Sequence, residues 1–313
     1  MIVDIGSAAA FLAAHDNYII LCHEHPDGDT LGSGYGLCRI LRAMGKKANV
    51  RCRDEVPKKF RYLMVEDEEF EEQTVVAVDI ADPSLMGTDI REIYGEKVHL
   101  SLDHHGSSRL FAEYTYVDAA AAATAEIIVA VAQELKVPIT KEIADCLFTG
   151  ITTDTGCFRY ANVTARTHNT AAHLMNCGAD AAGINMAMFE TKTKTYAALE
   201  RLALESMEYF LDDRCAIITV TKEMFAKSGS DESECDAIAS LPRQIEGVMV
   251  GVTIRERSDG SFKASVRSRN PVDALQICAK LGGGGHKNAA GCQLGTDLAQ
   301  AKVKLLAAIE ECL

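Results

Sequence analysis

Short continuous apolar runs alternate with helix-period segments along the first 190 residues. Residues 18–22 (YIILC) and 74–80 (TVVAVDI) are continuous, mostly apolar runs, which predicts buried strands. Residues 48–52 (ANVRC) and 97–103 (KVHLSLD) read as two more strands, with EYTYVD a candidate fifth. Helices are predicted over 7–16, from about 35 to 44, over 57–72 and 84–93, and then in succession over 119–136 and 139–152. Strands alternating with helices predict an α/β fold: a mostly parallel sheet with helices on both faces. In such sheets ligands gather beyond the carboxyl ends of the strands.

After about residue 185 the pattern changes. Residues 192–211 read as one long helix, followed by strands in CAIITV, GVMVGVTIRER and SFKASVRSR and helices in PVDALQICAKL and 297–313. The expected organisation is an α/β domain over 1–190, a helical linker over 191–211 and a smaller C-terminal α/β domain over 212–313. A chain of 313 residues favours two domains over one.

Charge narrows the partners. The formal net charge is −13, which argues against an extended footprint on long duplex nucleic acid but leaves a short anionic ligand open. Residues 251–290 depart from the average, with seven Lys or Arg against three Asp or Glu. The eleven cysteines include no C-x-x-C pair and sit mostly in apolar runs (Cys22, Cys146, Cys215), as expected of reduced thiols in a cytoplasmic protein. The apolar stretch 8–14 lacks a basic n-region and does not read as a signal peptide. The run 119–132 carries Thr124 and Glu126 and is too short to span a bilayer, so no membrane partner is expected.

Candidate chemistry falls at the strand ends. His23, Asp27 and Asp29 lie within seven residues on HEHPDGD, where Pro26 and Gly28 force a turn that lets side chains converge; a solvated polar turn is the competing reading. Asp79 closes the most apolar strand, and Asp82, followed by Pro83, is the better helix cap. Asp103, His104 and His105 end another strand. Asp154 lies among small residues in GITTDTG, which a plain helix end would also explain. Six ligands of mixed nitrogen and oxygen type, His23, Asp27, Asp29, Asp79, His104 and Asp154, suit two divalent metals bridged by Asp79 or Asp154. In the C-terminal part, Arg267 and the run Gly282, Gly283, Gly284, Gly285 and His286 read as an anion-binding loop, against the alternative of a flexible hinge.

The motifs in order are H-x-x-P-D-x-D, V-D at a strand end, D-H-H, T-D-T-G and G-G-G-G-H-x-x-A-A-G. Together they resemble the DHH phosphoesterase family with its DHHA1 domain, over essentially the whole chain. Chain size and the stretch TDTGCFRYANVTARTHNTAAHL are similar to the subgroup of oligoribonucleases that also remove the 3′-phosphate from adenosine 3′,5′-bisphosphate. The resemblance implies two manganese ions, one held by His23, Asp27 and Asp79, the other by Asp29, Asp79, His104 and Asp154. It implies that His105 faces the scissile phosphate, that Asp103 orients a histidine ring, and that Arg267, the glycine run and His286 hold substrate. Arg269, Arg109 and Arg159 are weaker substrate candidates, and His25 is a spare polar residue. The implied reaction is hydrolysis of short RNA or small nucleotides by a metal-activated water, in a homodimer. Cleavage of cyclic or linear dinucleotides is the alternative activity. The non-enzyme alternative is a nucleotide-binding module that has lost catalysis.

Overall fold

The computed structural model describes the backbone of residues 1–313 and every side chain except those of Ser233, Asp236 and His286. The chain divides into two compact units, Met1–Thr191 and Lys192–Leu313.

In the first unit, α1 (Ile5–Ala14) leads to β1 (Tyr18–Leu21), α2 (Gly28–Ala43), β2 (Ala48–Arg51), β3 (Thr74–Val78), α3 (Thr88–Tyr94), β4 (Leu100–Asp103) and β5 (Tyr114–Val117). The helices α4 (Thr124–Glu134), α5 (Lys141–Asp154), α6 (Ala165–Asn176) and α7 (Ala181–Asn185) complete it. The sheet is wholly parallel in the order β2-β1-β3-β4-β5. The chain runs outward one way from β1 to β2 and the other way from β3, so the crevice at the switch point opens between the carboxyl ends of β1 and β3. One face carries the main core, where Ile20, Val76, Val78 and Leu100 meet Leu31, Ile127 and Leu147. The other is covered more thinly: Ile19, Leu21, Val75 and Ala77 pack with Met86 and Val98, and with partly buried Ile90 and Tyr94 of α3.

Two helix expectations are corrected here. Helix α2 begins at Gly28, a full two turns before the expected start near 35. The glycines of this stretch are packing residues. Gly28, Gly32 and Gly36 recur every fourth residue along one face of α2. A methyl at Gly32 would stand 2.4 Å from the Cys146 carbonyl oxygen, and one at Gly36 would stand 2.6 Å from Leu147 Cδ2. Gly150 answers from α5, where a methyl would meet Ala125 Cβ at 2.7 Å and Asp29 Oδ1 at 2.8 Å. The second correction is over 57–72, where only a 3₁₀ turn forms (Lys58–Leu63). The six carboxylates between 66 and 72 would repel one another along a helix. The segment stays irregular, and its carbonyls at Glu66 and Glu68 accept from Arg42 Nη2 (2.9 Å) and Asn49 Nδ2 (2.9 Å).

The second unit holds α8 (Lys194–Glu205), β6 (Glu208–Phe210), β7 (Cys215–Val220), α9 (Lys222–Ser228), α10 (Cys235–Ile238), β8 (Val250–Glu256), β9 (Phe262–Ser268), α11 (Ala274–Ala279), β10 (Gly284–His286), β11 (Ala289–Gln293) and α12 (Leu298–Glu310). Its sheet runs β10-β11-β9-β8-β7-β6, antiparallel except where β7 meets β8. The stretch expected as a continuous helical linker belongs to this unit. Helix α8 buries Leu199 and Ala203 against Ile218 and Val220, and the chain then turns into β6 beside β7. On the opposite face Leu305 and Ile309 of α12 and Ile277 of α11 pack on Val252 and Val266.

The α2–α5 contact makes a stability prediction. Gly32→Ala should destabilise the protein by about 1–3 kcal/mol, the usual range for overpacking. It should do so although alanine exceeds glycine in helix propensity by about 1 kcal/mol. Urea unfolding measures it; an unchanged or raised midpoint would show that the helices separate without cost.

Candidate metal centre

Each candidate side chain of the first unit is delivered by a strand or helix end. His23 lies just past β1, Asp79 just past β3, and His104 just past β4. Asp27 caps α2, accepting from the N–H groups of Asp29 (3.0 Å) and Thr30 (3.1 Å). Asp29 follows in the first turn, and Asp154 is the last residue of α5.

The imidazoles are aimed by their second nitrogens. His23 Nδ1 bonds the Glu24 carbonyl at 2.8 Å and His104 Nδ1 the Ala121 carbonyl at 3.2 Å. A carbonyl only accepts, so each Nδ1 carries the proton and each Nε2 keeps a lone pair for a cation. His23 Nε2 is 3.6 Å from Asp27 Oδ1 and 3.8 Å from Asp79 Oδ2. His104 Nε2 is 3.6 Å from Asp79 Oδ1, 3.7 Å from Asp154 Oδ2 and 3.9 Å from Asp29 Oδ2. Three compact groups result: His23 with Asp27 and Asp79, Asp29 with His104 and Asp154, and Asp79 with His104 and His105. The two oxygens of Asp79 face different sets.

Asp79 and Asp29 are buried, and the structure holds them by bonds the sequence does not announce. Asp79 adopts a left-handed backbone (φ 58°) while its N–H still donates to Leu102 O at 3.0 Å. Its Oδ1 accepts from the Thr124 hydroxyl at 2.9 Å. Asp29 sits on the N-terminus of α4: Oδ2 accepts from Thr124 N (2.6 Å) and Oδ1 from Ala125 N (3.0 Å). Unpaired N–H groups at a helix start favour an anion there. Asn162 was also missed; its side chain donates to the carbonyls of Ala122 (3.0 Å) and Asp154 (3.2 Å), tying the end of α5 that bears Asp154 to the segment that enters α4.

The electrostatics fit a cation. Burial, then the charges of Asp29, Asp27 and Asp154, push the Asp79 carboxyl far above its ordinary value. Burial and the charges of Asp29 and Asp27 push Asp154 up to about 8. Burial likewise raises Asp29, with His104 pulling it back. Burial also opposes ionisation of Asp27, but His23 in its protonated form, with Nε2–H turned to Asp27, outweighs it and holds the carboxyl low. A buried set of like charges with two imidazole lone pairs is a donor set for a divalent metal.

His105 plays a different part. Asp103 Oδ1 accepts from both its backbone N–H (3.1 Å) and its ring Nδ1 (2.8 Å). The Asp103 bond raises the His105 pKa against the effect of burial. Although His105 Nδ1 is 3.6 Å from Asp79 Oδ1, its proton is committed to Asp103, so that nitrogen has no lone pair to offer a metal. Of the remaining first-unit candidates, Arg109 pairs with Asp82 (2.8 Å) and His25 with Asp54 (2.7 Å). Arg159 Nε donates to Gly156 O and its guanidinium lies over Phe189.

In the second unit Arg267 projects from β9 between Gly251 of β8 and Ala289 of β11. The glycine run is only partly the expected loop. Gly284–His286 form the edge strand β10, and the N–H groups of Gly282 and Gly283 donate to Ala279 O (3.1 Å) and Cys278 O (2.8 Å). Packing does require two of these glycines. A methyl at Gly283 would stand 2.2 Å from Gly291 O, and one at Gly285, whose φ is 140°, would stand 2.6 Å from Ala289 O. Gly284 alone in this strand pair has open space around it. The His286 side chain lies outside the described residues. Arg269 Nη2 donates to Arg243 O at 2.9 Å.

Comparison with known proteins follows the same division. The model of the DHH family, N-terminal domain, matches residues 17–151, and that of the DHHA1 domain matches residues 213–313. The chain is 35% identical over 302 residues to the bifunctional oligoribonuclease and PAP phosphatase NrnA of Thermus thermophilus, covering 93% of this chain and 89% of that protein. It is 27% identical to the cyclic-di-AMP phosphodiesterase PdeA of Listeria monocytogenes, over 94% of this chain but 47% of that longer protein. Among solved structures, an exopolyphosphatase-related protein from Bacteroides fragilis superposes with a TM-score of 0.88 at 23% identity, covering 98% of this chain and 95% of that one. That likeness shows the shared fold. Among the described residues no helix is long and apolar enough to cross a membrane.

Charge crowding sets opposite signs for two measurements on one variant. Asp154→Asn should raise the melting temperature of the chelator-treated protein by about 2–4 °C, the shift that roughly 1 kcal/mol produces in a unit of this size. The same variant should lose at least about tenfold in divalent-metal affinity by calorimetry, since even outer partners of a ligand are worth about 10–100-fold. A lowered melting temperature without metal would contradict the crowding.

Proposed function

Because the chain belongs to the DHH family and carries a C-terminal DHHA1 domain, we propose that it is a metal-dependent phosphoesterase acting on short oligoribonucleotides and on adenosine 3′,5′-bisphosphate. The observation that carries the reading is the convergence of His23, Asp27, Asp29, Asp79, His104 and Asp154 at the β1/β3 switch point. The bifunctional name of the Thermus relative, matched over nine-tenths of this chain, supports the substrate class.

We read the centre as a pair of ions with Asp79 shared, since its Oδ2 faces His23 and its Oδ1 faces His104. The mixed imidazole and carboxylate set favours manganese over magnesium. When bound, the ions supply Lewis acidity to phosphoryl oxygens and bring the pKa of water toward neutrality. The chain does the rest. Backbone N–H groups at the start of α4 fix Asp29, and Thr124 fixes Asp79, so the donors stand ready before any ligand arrives. Asp103 locks the His105 ring and favours its imidazolium, leaving Nε2–H to donate to a phosphoryl oxygen. In the second unit Arg267, Gly283, Gly284, Gly285 and His286 hold a further phosphate of the substrate. Arg267 supplies the charge, and Gly284 leaves clear space at the strand edge.

A dinucleotide phosphodiesterase is the second reading, favoured by the Listeria relative. Competition among RNAs of graded length, adenosine 3′,5′-bisphosphate, and linear and cyclic dinucleotides separates the two.

With manganese, the wild-type chain should release mononucleotides from a five-nucleotide RNA. His104→Ala and Asp79→Asn should each lower kcat by at least about a hundredfold, because loss of a mere outer partner already costs about 10–100-fold. Arg267→Ala should instead raise KM while calorimetric metal affinity is unchanged. Wild-type turnover of none of these substrates, or ligand variants as active as wild type, would rule out the hydrolase reading.

A further inference from the structure

The β8–β9 pair presents three cross-strand couples on one face. Register sets Gly251 beside Arg267, Thr253 beside Ser265 and Arg255 beside Lys263. Alternation along each strand turns all six side-chain positions the same way. On β9 this is the half-buried face, with Phe262, Ala264, Val266 and Ser268 turned into the core. Over β8 the face is roofed by the chain around α10: Thr253 Oγ1 donates to Ile238 O (3.4 Å), and a methyl at Gly251 would stand 2.4 Å from Arg243 N. Where the roof meets β9 a small pocket opens, lined by Cys235, Ala239, Thr253, Arg255, Lys263 and Ser265. It is too small for a nucleobase.

The pocket holds more cationic hydrogen-bonding capacity than the protein uses. Arg255 Nη1 reaches Glu232 at 3.4 Å, while its Nε is buried with no hydrogen-bond partner among the described residues. A buried guanidinium N–H without an acceptor is costly, so an acceptor from outside the chain is expected. Lys263 forms no ion pair among the described residues. Of the described carboxylates nearby, Glu234 accepts from Thr195 Oγ1 through Oε1 (3.2 Å) while its Oε2 is buried without a described partner, and Glu256 accepts from Lys222 N (3.0 Å). Two cationic side chains, the Ser265 hydroxyl and a buried N–H without a described acceptor are the chemistry of a phosphate site.

We propose that this pocket is a second phosphate subsite, taking a backbone phosphate of an oligonucleotide that lies along β9 with another phosphate at Arg267. Arg267 and Lys263 are four residues apart on one strand, roughly 13 Å along it. An extended single strand spans that distance in two internucleotide steps; with the scissile phosphate counted before the one at Arg267, four phosphates in a row are needed, so 5′-phosphorylated substrates of four or more nucleotides reach both positions. A dinucleotide or a bisphosphate nucleotide reaches only one. The subsite therefore sets a length preference within the activity proposed above, and it rests on that reading for its substrate.

The experiment compares wild type with Arg255→Gln/Lys263→Gln on a five-nucleotide RNA and on adenosine 3′,5′-bisphosphate. The double variant should raise KM for the RNA about tenfold at unchanged kcat, shift KM for the bisphosphate less than about twofold, and flatten the salt dependence of RNA binding by about one to two charges. Lys263→Arg should retain the wild-type KM for RNA, which a packing role for the lysine stem would not ensure. Equal shifts on both substrates, or no shift on the RNA, would overturn the subsite. Anisotropy of a labelled five-nucleotide RNA in chelator separates this from the parent reading. Weaker binding by the double variant supports the subsite even if wild type hydrolyses nothing, and equal binding overturns it.

Discussion

Four carboxylates meet at the switch point of the first sheet, and every ion-pair partner they have among the described residues is a histidine. No lysine or arginine neutralises them, so the cluster is unfavourable until a cation arrives. The local architecture manages that unfavourable state. Helix α4 offers backbone N–H groups to Asp29, α2 offers its own to Asp27, and Thr124 steadies Asp79. The glycine face of α2 allows close approach to α5, whose last residue is Asp154. The fold thus spends its close packing on keeping like charges together.

Strands β1, β3, β4 and β7 were legible because they are buried on both faces, which makes their apolar runs continuous. The ligand residues were legible for a related reason: a charged side chain directly after such a run has to face a crevice. Helix α2 was misread because glycine has two uses that sequence does not distinguish, turning the chain and admitting a neighbouring backbone. The run from Gly282 to Gly285 met the same ambiguity from the other side; packing explains Gly283 and Gly285, and a turn explains Gly282, whose φ is 73°. The partners of Asp29 were out of reach. Thr124 and Ala125 lie 95 and 96 residues away, and both contributions are bare N–H groups that any residue type but proline would supply.

The irregular acidic stretch after Leu63 shows the limit of helical periodicity. Its spacing suits a helix, but its like charges do not, and its carbonyls find partners in Arg42 and Asn49. In the second unit, the long helix expected between domains stops at Glu205 because the next residues complete a sheet edge against β7. Both differences arise from tertiary partners that outweigh local propensity.

The left-handed backbone of Asp79 constrains how this protein can change over time. Besides aspartate, the residues that sit comfortably at φ near 60° are glycine and asparagine. Both lack the charge that two ligand sets share, and each is one base substitution from an aspartate codon. The substitutions that the backbone tolerates best are therefore the ones that silence the centre. A folded descendant without a working centre is one mutational step away, whereas bulky or β-branched replacements would strain the turn as well as remove the charge.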